Sequence, residues 1–91
     1  MTDLSALPGG DLVRTGLDDL ARERQTVPAL LVSIGAPRLN RAGIAVENPF
    51  PEPERRLYEL LARDDADTAH SRYNGLVRRL VSFERAAECA R

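Results

Sequence analysis

The sequence predicts an all-α fold: a small bundle of about four helices, arranged as two helical hairpins joined by a proline-rich elbow. Apolar residues recur at spacings of three and four in the segments 11–24 and 69–87 of the 91-residue chain, which is typical of amphipathic helices. Prolines concentrate in one short segment, residues 48–53, which divides these helical stretches into two groups. A chain of this length makes a single domain, so we expect residues 1–91 to share one core.

The first predicted hairpin follows a loop or flexible arm at residues 1–10, which ends in Pro-Gly-Gly. Asp11 is a plausible N-cap for a helix from about 11 to 24. Thr26 then precedes the apolar run 27–35, which has Pro28 at a position that a first helical turn tolerates. The cap and the proline favour a second helix, although a short apolar run is also compatible with a strand.

The connection between the hairpins begins at Pro37, which is expected either to end the second helix or to open a short turn at 38–42 that Gly43 closes. Residues 44–46 are expected to be extended. The elbow at 48–53 has the composition of a stiff polyproline-like segment, and we expect Phe50 to anchor it by packing into the core.

The second hairpin is predicted to start at Pro53 and to turn at residues 63–65. Asp67 is a plausible cap for a last helix that runs to near the C-terminus. Asn74-Gly75 also resembles a turn signal, so a break there stays open. The core face of this helix spans about eighty degrees on a helical wheel and comprises Ala69, Tyr73, Leu76, Leu80, Phe83 and Ala87.

The opposite face of the last helix carries small residues bordered by arginines. Exposed helix faces usually hold long side chains, and glycine within a helix costs about 1 kcal/mol relative to alanine. Small residues would let another helix approach closely, while arginines reach its carboxylates. The predicted partner-binding residues are Ser71, Arg72, Gly75, Arg78, Arg79, Ser82, Arg85 and Ala86. The simpler alternative is a solvated face.

Charge is unevenly distributed along the chain. Residues 47–67 contain seven acids and three arginines, whereas residues 68–91 contain two acids and five arginines. The two segments are expected to neutralise each other partly within the fold. Glu84, at the margin of the apolar face, is expected to reach solvent; if buried, it would need an arginine from another element, with Arg55 or Arg56 as candidates.

Composition argues against an enzyme. The chain has one histidine (His70), one cysteine (Cys89), no tryptophan and no lysine, whereas most catalytic and metal sites need several such side chains to converge. We therefore expect no cofactor and no metal site. A lone cysteine favours a reducing cytoplasm, and no stretch is apolar enough to span a membrane.

One local pattern does suggest chemistry. Arg63 precedes His70 by seven positions, and Tyr73 follows it. This pattern resembles the Arg-x4–6-His signature of the HEPN family of small helical proteins, several of which are ribonucleases or toxin–antitoxin partners. The resemblance implies a ribonuclease in which Arg63 stabilises the transition state and His70 acts as general acid or base. The acidic linker departs from that chemistry because its carboxylates repel a polyanion. Otherwise we expect an exposed His70 bonded to Asn74 or to a carboxylate.

The sequence thus favours a non-enzymatic interaction or regulatory protein that acts as a homodimer through its last helix. A protein encoded nearby is a possible partner, and a membrane is not expected. The HEPN-like ribonuclease is the first alternative. The second is an adaptor that binds nucleic acid through the C-terminal arginines, which is not favoured because the domain is not basic overall.

Overall fold

The computed structural model describes residues 6–89, and this part of the chain forms a bundle of five helices without a strand. The helices are α1 (Gly10–Ala21), α2 (Val27–Ile34), α3 (Ala36–Arg41), α4 (Pro53–Asp64) and α5 (Ala69–Cys89). α1 packs on α2, α4 packs on α5, and α2 also contacts α4 and α5. The predicted all-α bundle is confirmed.

Helix α2 lies at the centre of the bundle. Residues 29–33 are all buried, which explains why their sequence shows no periodicity: a helix surrounded by others is apolar on every side. The Thr26 hydroxyl oxygen accepts a hydrogen bond from the backbone N–H of Ala29 and donates one of 2.7 Å to Asp19. This cap, with Pro28 in the first turn, settles the segment as a helix.

Helix α1 begins slightly earlier than predicted. Gly9 is the N-cap with a φ of 74°, so Asp11 lies in the first turn and is not the cap. A methyl group at Gly9 would lie 2.9 Å from the carbonyl oxygen of Arg79, so glycine lets the chain approach α5. Of the predicted arm, residues 6–9 form a turn, and residues 1–5 lie outside the described residues.

Helix α1 also ends earlier than predicted, at Ala21 instead of about residue 24. Glu23 donates its backbone N–H to Leu20, and Arg24 donates its own to Asp19. This is the Schellman pattern, in which the residue after the C-cap is left-handed and is usually glycine. Glu23 adopts that conformation with a φ of 59°.

The connection between the hairpins is held by side-chain hydrogen bonds. Pro37 lies in the first turn of α3, and Gly43 follows that helix with a φ of 89°. The Asn40 amide oxygen accepts a 2.8 Å hydrogen bond from the backbone N–H of Val46. The buried Ser33 hydroxyl donates a hydrogen bond to the backbone carbonyl of Ala29 in α2. It accepts a hydrogen bond of 3.1 Å from the backbone N–H of Phe50. The Phe50 side chain is half-buried and packs against the core, as predicted, and this hydrogen bond also holds its backbone.

The second hairpin follows the predicted order, with Pro53 as the first residue of α4. In the turn, the Asp65 carboxylate accepts a hydrogen bond from the backbone N–H of Asp67, and the Thr68 carbonyl accepts one from Arg72. Thr68, and not Asp67, is therefore the N-cap of α5. The helix continues without a break through Asn74-Gly75 for 21 residues. Its buried residues include Ala69, Leu80, Phe83 and Ala87.

Candidate interaction surface

The outer face of α5 carries the eight predicted partner-binding residues. Six of them are exposed, while Gly75 and Ala86 are half-buried; the exposed six are Ser71, Arg72, Arg78, Arg79, Ser82 and Arg85. Apart from its chain neighbours and the helix's own backbone, no heavy atom of residues 6–89 lies within 4 Å of the position that a Cβ would take at Gly75. The other described elements therefore leave this part of the helix uncovered.

The arginines on this face differ in their surroundings. Arg72 reaches back to Asp64 at the end of α4, where Nη1 and Oδ2 are 2.7 Å apart. Arg78, Arg79 and Arg85 form no ion pair with an acid among residues 6–89. The expected pairing of the acidic segment with the C-terminal arginines is thus found for Arg72. Arg78, Arg79 and Arg85 form no such close pair and can reach an acid of another molecule.

On another side of α5, Glu84 and Glu88 meet Arg38 from α3. The Arg38 guanidinium donates two hydrogen bonds of 2.8 Å to the Glu88 carboxylate, the fork geometry that favours carboxylates. A third nitrogen lies 3.5 Å from Glu84. Glu84 is only 4% exposed, so the expectation that it reaches solvent was wrong. Its arginine comes from α3, and neither Arg55 nor Arg56 serves it.

The pKa values of the two glutamates shift in opposite directions. Burial raises the pKa of Glu84, and the nearby Arg38 charge offsets this only in part. The hydrogen bonds from Arg38 lower the pKa of the exposed Glu88. The charges of Arg41 and Arg85 also lower the pKa of Glu88. The two acids of α5 are therefore engaged mainly with Arg38 of α3, and Glu88 also attracts Arg85 of the outer face.

The residues of the ribonuclease alternative lie around the turn between α4 and α5. Arg63 and His70 are both exposed, and no hydrogen bond or ion pair joins them within the described chain. His70 Nε2 lies 3.2 Å from the Asn74 amide nitrogen, the neighbour expected for a surface histidine. The Tyr73 ring packs on Tyr58, with ring centroids 5.9 Å apart. Burial raises the pKa of the Tyr73 hydroxyl, and the negative charge of Glu54 raises it further.

Residues 6–89 offer neither a metal-binding cluster nor a helix that could cross a membrane. These residues contain no group of three or more His, Cys, Asp or Glu side chains placed to hold a metal ion. None of the helices in this range has the length and apolar character needed to cross a membrane. Cys89 is exposed and has a free thiol.

Comparison with known proteins gave no relatives: no family model, no curated protein and no solved structure matches this chain.

Proposed function

We propose that this chain is a non-enzymatic interaction or regulatory module that acts as a homodimer through the outer face of α5. The observation that carries the proposal is the combination found there: a helix surface that residues 6–89 leave open at Gly75, beside three arginines that form no close ion pair with an acid of these residues. A second helix can approach closely at a glycine, and carboxylates can then meet the arginines.

The charge order along α5 supports a second copy as the partner. Asp64, Asp65 and Asp67 lie before the start of the helix, Arg78 and Arg79 lie near its middle, and Arg85 lies near its C-terminal end. An antiparallel pair of α5 helices places the acidic residues before each helix near Arg85 of the other copy. Parallel pairing would instead set Arg85 of one copy against Arg85 of the other, which is unfavourable.

The spacing around Gly75 fits this arrangement. Arg85 follows Gly75 by ten residues, about 15 Å along the helix, and Asp67 lies in the turn just before α5 begins, eight positions before Gly75. A symmetric crossing near Gly75 therefore brings Asp67 of one copy close to the partner's Arg85. Such a contact is isologous and closes as a dimer.

The size of the chain also supports association. A domain of this length buries roughly 60–65% of the surface that its unfolded chain exposes, so its own core gives a narrow margin of stability. Covering the outer face of α5 would add buried surface without lengthening the chain.

The mass of the protein in solution tests the proposal. We expect light scattering to give twice the 10.0 kDa chain mass for the wild type, and the monomer mass for Gly75→Glu. The substituted side chain enters open space in the isolated fold, so this variant should keep its helical circular dichroism. Thr15→Glu adds the same charge to an exposed position of α1 and should remain dimeric.

Two results would overturn the proposal. One is a wild type that stays monomeric over the concentration range of the experiment. The other is a Gly75→Glu variant that dimerises as well as the wild type. If the monomer instead shifts mixed-sequence RNA or DNA in a salt-dependent manner, the arginines serve a nucleic-acid adaptor.

A further inference from the structure

A cleft separates the end of α1 from the connecting segment 45–50. Its volume is about 420 Å³, within the usual range for small-molecule sites. Five apolar residues contribute to its lining: Leu17, Leu20, Ala21, Ala45 and Phe50. No residue of α5 lines it, so the cleft is separate from the proposed dimer surface.

The polar part of the cleft is acidic. Glu23 lines it from the end of α1, while Glu47 and Asn48 line it from the connecting segment. Neither glutamate forms an ion pair with an arginine in the described part of the chain. The nearby Arg22 and Arg24 lie instead beside Asp18 and Asp19. The cleft therefore presents two carboxylates to which no cation of residues 6–89 is paired.

Hydrogen bonds fix the segments that form the cleft. Asn40 holds the backbone at Val46, immediately before Glu47, and Ser33 holds the backbone of Phe50. On the α1 side, the Schellman hydrogen bonds fix Glu23 and Arg24. A site whose walls are already held loses little conformational entropy when a ligand binds.

The identity of residue 23 is also informative. Its left-handed backbone conformation favours glycine, yet the chain has a glutamate there. Glutamate at this position supplies a carboxylate at the cleft where glycine would suit the backbone better. Asn48, on the connecting segment, also has a positive φ, of 52°, which asparagine tolerates better than most residues.

We propose that this cleft binds a small organic cation: an apolar ring or short chain that carries one amine, amidine or guanidinium group. The apolar body would contact Leu17, Leu20 and Phe50, and the cationic group would lie between the carboxylates of Glu23 and Glu47. An anion would be repelled by both carboxylates. A neutral ligand would leave their charge uncompensated.

Titration with phenethylammonium, followed by amide NMR shifts, tests the proposal. We expect saturable shifts at residues that line the cleft, and weaker binding of the neutral analogue 2-phenylethanol and of the anion 3-phenylpropanoate. Glu23→Gln and Glu47→Gln should each reduce the affinity about two- to fivefold, the range for exposed charge pairs. Glu59→Gln removes an exposed carboxylate of α4 that does not line the cleft and should change nothing.

A second variant separates the carboxylate from the backbone. Glu23→Gly suits the left-handed conformation, so it should fold at least as well as the wild type while binding the cation as weakly as Glu23→Gln. The proposal fails if phenethylammonium gives no saturable shift, if 2-phenylethanol binds equally well, or if both Glu23 variants keep full affinity. Monomeric wild-type protein would not affect this test, because the dimer surface does not line the cleft.

Discussion

Two glycines in helix interiors should respond in opposite ways to the same substitution. A methyl group at Gly16 would lie 2.3 Å from the carbonyl oxygen of Pro28 and 2.8 Å from Val32 Cγ1. Carbon contacts are normally about 3.5–4.0 Å, so α1 and α2 would have to separate by about 1 Å. A methyl group at Gly75 would meet no atom of another described element within 4 Å.

The expected magnitudes follow from these distances. Gly75→Ala should raise the free energy of unfolding by about 1 kcal/mol, because alanine has the higher helix propensity and no new contact is made. Gly16→Ala gains the same propensity but overpacks the α1–α2 contact, which costs about 1–3 kcal/mol. Because the obstacle is backbone and not a movable side-chain end, we expect the upper part of that range and a net loss of about 1–2 kcal/mol.

Urea unfolding followed by circular dichroism measures both effects. For a domain of this size, 1 kcal/mol corresponds to about 4–8 °C in Tm, so thermal unfolding should show Gly75→Ala above the wild type and Gly16→Ala below it. Measuring both at low protein concentration keeps association from contributing. A Gly16→Ala variant as stable as the wild type would refute the close α1–α2 approach.

Further predictions concern the connecting segment and the buried glutamate. Ser33→Ala should lower the free energy of unfolding by about 1–2 kcal/mol, because the Phe50 N–H loses its acceptor; urea unfolding checks this. Burial raises the pKa of Glu84 in the folded protein. Its favourable contribution to the free energy of unfolding is therefore complete below its unfolded pKa, near 4.5, and is lost as pH rises through the folded pKa. Glu84→Gln should therefore gain stability relative to the wild type between acidic and neutral pH. Glu88 has a lowered pKa, so its favourable contribution to stability is present above its unfolded pKa and is lost as pH falls through the folded pKa. Arg38→Ala should destabilise more at pH 7 than at pH 4, and Glu84→Gln should restore part of that loss; equal losses at both pH values would contradict the role of Arg38.

The sequence was most informative where chemistry and pattern agreed. Thr26 and Pro28 predicted the start of α2, Pro53 predicted the start of α4, and the apolar spacing from Ala69 to Ala87 predicted the buried face of α5. These signals are local, because caps, prolines and helical spacing act within a few residues.

The sequence was least informative where long-range contacts decide. The end of α1 was missed because Glu23 takes a position that glycine usually marks. The burial of Glu84 depends on Arg38, 46 positions earlier, and only the folding of the chain brings the two side chains together. The cleft was missed for the same reason, since Leu17 and Glu23 on one side are more than twenty residues from Glu47 and Phe50 on the other.

The most direct test of the proposed dimer is a charge-reversal rescue, measured by sedimentation equilibrium. Asp67→Arg and Arg85→Asp should each weaken self-association, and the double variant should recover most of it, because each copy then presents the reversed pair. Self-association that neither reversal weakens, or that the double variant does not restore, would contradict an antiparallel α5 interface.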